Sequence, residues 1–283
     1  MFAHLYRYRL PMRSSIREGL ILETETGWGE IAPMEATSLA AAEAEIRRLL
    51  PCLARGEPTT PRHPAVRFGI ASAARPLPSK PFSVPIAALI LGEGLIAQAE
   101  QAAREGFQML KVKLSGIPIR RAISLIREMP PLPLRIDCNQ SWSFAEAMEF
   151  ASHFPPERFA YLEEPLRDPA ELPRFARETG IEIAVDESYS PETPFLQVIK
   201  PTRVGYASPG AILSSFYESN LGLLKIAELA DVMPVGLDTG KFFQENLLDL
   251  PVYGGHLHWT PNRIQTERLV WITGSEKRGI RAT

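Results

Sequence analysis

Leu110-Lys111-Val112-Lys113-Leu114 alternates like a β-strand, yet it sets two lysines on one face. Four more stretches follow the same plan: Arg135-Ile136-Asp137-Cys138-Asn139, Tyr161-Leu162-Glu163-Glu164-Pro165, Ala184-Val185-Asp186-Glu187-Ser188 and Val198-Ile199-Lys200-Pro201. Each begins apolar and ends in a charge. Charges are excluded from fully buried strands unless they are paired or bind a metal. Five such endings, at the same end of five strands, point to one shared site. Successive strand side chains alternate between faces. Lys111 and Lys113 therefore share a face, joined by Asp137, Asn139, Glu163, Asp186 and Lys200, while Ile136, Leu162, Val185 and Ile199 turn to the other side.

Outward from these stretches, strand patterns lie near 84–90, 109–114, 134–138, 160–163, 182–186, 197–200, 211–215 and 232–237. Helical patterns separate most of them, at 93–105, 118–129, 143–153, 169–178 and 218–230. This alternation implies parallel strands joined by right-handed crossovers. The expected fold is α/β, a modified (β/α)8 TIM-like barrel. An open doubly wound sheet competes, but no glycine-rich phosphate loop follows the first strand. Between Asp186 and Gln197 there is room for little more than a turn. Ahead of the barrel, 2–10 and 19–32 read as strands around a Thr26-Gly27 turn, 38–53 as a helix stopped by Pro51, and 63–74 as a short helix. Seven prolines between 56 and 85 mark a boundary. The expected division is an N-terminal α+β capping domain (1–80), a barrel catalytic domain (81–245), and a C-terminal segment (246–283) whose Trp259 and Trp271 return to pack on the cap.

Composition excludes several roles. With 45% apolar and 23% charged residues and a net charge of −2, there is no electrostatic case for nucleic acid. Cys52 and Cys138 are too few for a disulfide framework, so a reducing cytoplasm is expected. The first residues lack the pattern of a secretory signal, and the apolar run around Val84–Leu91 is too short to span a bilayer. The expected partner is a small-molecule carboxylate, with no nucleic acid and no membrane. The sequence sets no oligomeric state and is compatible with a monomer.

Three carboxylates crowded together need a counter-charge, because like charges raise each other's pKa. Asp137, Glu163 and Asp186 are the natural ligands of a hard divalent cation, Mg²⁺, with Mn²⁺ able to use the same oxygens. Glu164 and Glu187 are rivals of the opposite parity. Lysines beside such an ion are expected to have depressed pKa values, and a neutral lysine is a competent general base. The set describes proton abstraction next to a carboxylate, with the metal stabilising the resulting enediolate.

At these residues the chain resembles the muconate lactonizing enzyme subgroup of the enolase superfamily. The Lys-x-Lys, Asp-x-Asn, Glu-Glu-Pro, Asp-Glu-Ser and Ile-Lys-Pro motifs follow in that subgroup's order. Arg17-Glu18-Gly19-Leu20, Gly27-Trp28-Gly29-Glu30-Ile31-Ala32-Pro33, Glu218-Ser219-Asn220-Leu221-Gly222 and Gly236-Leu237-Asp238-Thr239 resemble segments of its dehydrating members. The likeness covers roughly residues 5–240. It implies that Lys113 removes an alpha proton and returns it to a departing hydroxyl in a syn dehydration. Lys111 would adjust Lys113 and contact the carboxylate, and Lys200 would act as a cation over the ring. It also implies that Asn139 assists at the metal or the substrate, and that Ser214 and Ser215 receive a succinyl carboxylate. The loop from Met12 to Ile16, with Arg13, would close over the mouth. Two other functions compete: an N-acylamino acid racemase or dipeptide epimerase using Lys113 and Lys200 as opposed bases, and a non-catalytic metabolite-binding barrel. Paired lysines beside a metal site argue against the last.

Overall fold

A computed structural model describes residues 1–34, 38–188, 190 and 192–276. Alternating residues and a glycine turn at the N-terminus give an antiparallel meander of β1 (Phe2–Pro11), β2 (Ile16–Thr24) and β3 (Trp28–Ile31). Tyr8 lies opposite Gly19, where a Cβ would fall 2.4 Å from the tyrosine hydroxyl. Behind the sheet pack α1 (Leu39–Arg55) and α2 (Pro64–Ala73). Ser38 caps α1 by accepting from the Ala41 N–H at 3.1 Å. Pro51 lies inside α1 rather than ending it; it removes one backbone donor, and the stop is Gly56 at φ 73°. Leu5, Leu20, Leu22 and Ile31 meet Ala42, Ile46, Leu50 and Val66 in a closed apolar layer.

The barrel follows. After β4 (Phe82–Pro85), its elements are β5 (Ala88–Ile90), α3 (Leu95–Arg104), β6 (Leu110–Lys113), α4 (Ile119–Glu128), β7 (Leu134–Asp137) and α5 (Phe144–Ala151). Then come β8 (Phe159–Glu163), α6 (Leu172–Thr179), β9 (Ile183–Val185), β10 (Leu196–Ile199), α7 (Pro201–Val204), β11 (Ile212–Leu213) and α8 (Asn220–Ala227). Strands β5 to β11 form one parallel sheet in chain order. Val235 and Gly236 bridge Ile86 and Ser214 and so close the ring, through Ala87 N–H to Val235 O at 2.9 Å and Gly236 N–H to Leu213 O at 2.8 Å. The alternation rule holds. Tyr161, Ala184, Val198 and Ile212 cluster inside the barrel, while Ile136, Leu162, Val185 and Ile199 join the core beneath the helices.

Two strands depart from the sequence reading. The 84–90 strand divides in two, because β4 pairs antiparallel with β13 (His256–Trp259), itself paired with β12 (Val252–Tyr253). Pro85, lacking an N–H, sits at that break. The 232–237 strand shrinks to the two bridging residues. Between β9 and β10 the described residues form no helix, and α7 is a single turn. After the base sheet the chain returns to the cap, where β14 (Leu269–Glu276) pairs antiparallel with β1. Trp271 on β14 stands against His4 and Tyr6, with ring centroids 4.9 and 5.3 Å away. Trp259 instead is buried in β13, donating from Nε1 to Pro78 O at 3.0 Å. No described helix is long and apolar enough to cross a membrane.

Buried charges join cap to barrel. Glu30 accepts from the Ser219 N–H at 3.0 Å, the Ser219 hydroxyl at 2.6 Å, the Gly222 N–H at 2.9 Å and the Tyr8 hydroxyl. It therefore meets the positive end of α8. A Cβ at position 222 would fall 2.5 Å from Glu30 Oε2, so Gly222 is required there. Arg17 donates to Tyr217 O at 3.0 Å, Pro33 O at 3.1 Å and Ala32 O at 2.6 Å. Glu30→Ala leaves the Ser219, Gly222 and Tyr8 donors without their acceptor and is expected to cost about 3 kcal/mol. The readout is a lower urea midpoint at unchanged slope; an unmoved midpoint contradicts the interdomain role.

Candidate active site

Parallel pairing sets the site. Lys113 lies opposite Asp137, Asp137 opposite Glu163, and Glu163 opposite Ala184, two residues before Asp186. Adjacent strands are about 4.8 Å apart, so the side chains at these strand ends are neighbours. Lys111 Nζ donates to both Glu163 oxygens, at 2.8 and 2.6 Å, and lies 3.2 Å from Asp137 Oδ2. Lys113 Nζ lies 3.1 Å from Asp137 Oδ2 and donates to Asn139 Oδ1 at 3.1 Å. Across the barrel Lys200 pairs with Asp186, whose other oxygen takes Arg203 at 3.2 Å. Lys200 Nζ also stands 5.9 Å from the centre of the Phe216 ring.

Burial disfavours the charged form of Lys111, but Glu163 and Asp137 outweigh it and hold the ammonium well above the usual lysine range. Without an ion, then, its two carboxylates keep Lys111 charged. Burial also pushes Asp137 up, and Lys111 and Lys113 overcome it, leaving the carboxyl below its ordinary value. Glu163 goes the other way. Burial, with Asp137 adding to it, pushes its carboxyl up to about 7 against the pull of Lys111.

Among the described residues no three His, Cys, Asp or Glu side chains are grouped closely enough to hold an ion as they stand. Each of the three carboxylates is turned to a lysine or arginine instead. Their chemistry nevertheless fits a hard divalent cation: Asp137, Glu163 and Asp186 are buried carboxylates at the ends of adjacent strands. Asp137 Oδ2 is buried between the Lys111 and Lys113 ammonium groups, at 3.2 and 3.1 Å.

The strand ends open on a cavity of about 300 Å³. Lys111, Lys113, Asp137, Asn139, Lys200, Ser214 and Ser215 line it. Residues 94–237 match the family "Enolase C-terminal domain-like", and residues 1–77 match "MenC, N-terminal domain". An o-succinylbenzoate synthase of Yersinia enterocolitica is 36% identical, over 86% of this chain and 91% of that protein. The chain belongs to the o-succinylbenzoate synthase family.

Solved structures agree on the enolase-superfamily, TIM-like fold. MenC from Desulfotalea psychrophila superposes with a TM-score of 0.69 at 21% identity, covering 90% of this chain and 98% of that one. A putative mandelate racemase/muconate lactonizing enzyme from Roseovarius nubinhibens, complexed with magnesium, gives 0.74 at 19% identity, covering 98% and 99%.

Arg13, expected to close over the mouth, stands apart from it. It is exposed and does not line the cavity. Its loop is tied sideways: Met12 bridges Phe243, the Arg13 N–H donates to Phe242 O at 2.9 Å, and the guanidinium lies 5.7 Å from the Phe242 ring centre. The arginine that lines the cavity is Arg203, joined there by Phe216, Tyr217, Asp238 and Thr239. The rule that barrel residues just beyond a strand's C-terminal end face the site would have found these five. Met34 reaches the cavity from the cap, and no local signal marks it. Asp238 accepts from the Leu89 N–H at 2.8 Å and from Lys241 at 2.6 Å, which occupies it structurally. Of the rival carboxylates, Glu187 lines the cavity and Glu164 does not.

Proposed function

We propose that this chain is a Mg²⁺-dependent lyase of the cytoplasm that dehydrates 2-succinyl-6-hydroxy-2,4-cyclohexadiene-1-carboxylate to 2-succinylbenzoate, a step of menaquinone biosynthesis. One observation carries it: Lys113 ends the second barrel strand and Lys200 the sixth, half-way round the ring, and both line one cavity with Asp137. Lys113 is the base. It removes the proton alpha to the ring carboxylate and returns it to the departing hydroxyl on the same face, leaving an aromatic ring. Asn139 Oδ1 orients the Lys113 ammonium. Lys111, kept charged by its two carboxylates, supplies a fixed cation beside the substrate carboxylate. Lys200 supplies positive charge on the opposite face. Asp137, Glu163 and Asp186 would hold the ion. A bound divalent ion would supply charge stabilisation to the enediolate formed from the substrate carboxylate.

Ser214 and Ser215 receive the succinyl carboxylate. The Ser214 hydroxyl donates to Gly236 O at 3.2 Å; that of Ser215 lies 3.1 Å from Gly236 O and 2.8 Å from Thr239 Oγ1. Both protons can turn toward an anion. Ser215→Glu places a like charge at that wall and is expected to raise KM about tenfold, equivalent to about 1.4 kcal/mol. An unchanged KM removes the seventh strand as the succinyl pocket.

The racemase rival is separated by working in D₂O. With N-acylamino acids the proposed function expects kcat/KM for alpha-deuterium incorporation with inversion well below kcat/KM for dehydration of the cyclohexadiene acid. The opposite order supports the racemase.

A further inference from the structure

The loop carrying Asp186 has no helix behind it among the described residues, yet its position matters to the site. Glu164 holds it. This residue sits at φ 46°, a conformation uncommon for a residue with a side chain. The turn takes its carboxylate away from the helix-facing side that strand parity assigns to it. Glu164 is fully buried. Its Oε1 accepts from the backbone N–H groups of Asp186, at 2.9 Å, and Ser188, at 2.5 Å. Its Oε2 accepts from the Ser188 hydroxyl at 2.7 Å and Gln140 Nε2 at 3.1 Å. Its carbonyl accepts from the Gln140 N–H at 2.7 Å. Asn139 and Gln140 are themselves left-handed, at φ 44° and 55°. Such strain persists only where the surroundings over-determine it. One carboxylate thus ties together the loops that follow β7, β8 and β9, the three strands leading to Asp137, Glu163 and Asp186.

We propose that Glu164 is a positioning residue for the divalent cation. It is not a ligand; its charge-assisted hydrogen bonds fix the Asp186 backbone, and through it the carboxylate set. The inference rests on the metal site of the proposed function.

The test titrates Mn²⁺ alone into the full chain by calorimetry, with thermal melts alongside. Glu164→Ala is expected to weaken Mn²⁺ binding about 10- to 100-fold. A merely structural role would lower the folded fraction without moving the dissociation constant of what remains folded. Glu164→Gln keeps one oxygen for the two backbone N–H groups and is expected to restore most of the affinity. Gln140→Ala/Ser188→Ala removes only side-chain donors and is expected to weaken binding a few-fold; it decides the matter if Glu164→Ala does not fold. Wild-type affinity in folded Glu164→Ala, or in the double variant, overturns the proposal. So does a loss in Glu164→Gln as large as in Asp186→Asn, which would make Glu164 a ligand. If the wild-type protein binds no Mn²⁺, the metal site itself is wrong and the proposal falls with it; if only the variants disagree, the metal site stands.

Discussion

Lys113→Arg is expected to abolish turnover, by about 10³-fold or more, while Lys200→Arg retains part of it. A guanidinium is effectively never deprotonated, so arginine keeps the charge beside Asp137 but removes the base. The ion pair at 3.1 Å has a ready replacement, so folding and ion binding should survive. Lys200 is asked only for positive charge, between Asp186 and the Phe216 ring. Arginine supplies that if its larger group fits. A racemase needs a proton carrier on both faces and loses two-way racemisation with either change. Turnover and alpha-proton exchange, measured for both variants on the cyclohexadiene acid, separate the cases. Residual dehydration in Lys200→Arg beside none in Lys113→Arg fits the synthase chemistry. The reverse pattern overturns Lys113 as the base.

Asp137→Asn, Glu163→Gln and Asp186→Asn are each expected to weaken the divalent ion by roughly two orders of magnitude, because a neutral amide replaces an anionic oxygen ligand. Their effects on stability should differ. From the sequence, removing one of three crowded carboxylates relieves repulsion. In the structure Glu163 gives both oxygens to buried Lys111, so Glu163→Gln deprives that ammonium of its nearest anion and is expected to cost about 3 kcal/mol. Ion affinity should also depend on pH with a definite sign. The Glu163 carboxyl is pushed up to about 7, so below that pH it carries a proton that an incoming ion must displace. Affinity should fall by about tenfold per pH unit below 7 and level off above it. Calorimetric titrations between pH 5.5 and 8 check this, and a flat profile contradicts the assignment of Glu163 as a ligand.

The parts legible from sequence are those governed by local alternation. Two-residue periodicity is a backbone property, so it correctly separates Tyr161, Ala184 and Val198 inside the barrel from Leu162, Val185 and Ile199 outside. It also brings Lys111, Lys113, Asp137, Asn139 and Lys200 to one cavity. Parity fails at Glu164, where a single positive φ redirects the side chain. Arg13 fails for a longer-range reason, since its loop is placed by Phe242 and Phe243 more than 200 residues away. The charge state of Lys111 depends on distances to two carboxylates, which no spacing rule supplies. Trp259 and Trp271 look alike in sequence, yet one is buried in β13 beside Pro78 and the other stands on the cap sheet.

The central claim is metal-dependent dehydration, and one assay reaches it. Purified protein is mixed with 2-succinyl-6-hydroxy-2,4-cyclohexadiene-1-carboxylate, and the rise of aromatic product absorbance is followed with Mg²⁺, with EDTA, and after Mg²⁺ is restored. Turnover with Mg²⁺, none with EDTA and recovery on restoring the ion is the predicted result. No aromatic product in any condition, or equal rates with and without EDTA, would contradict it.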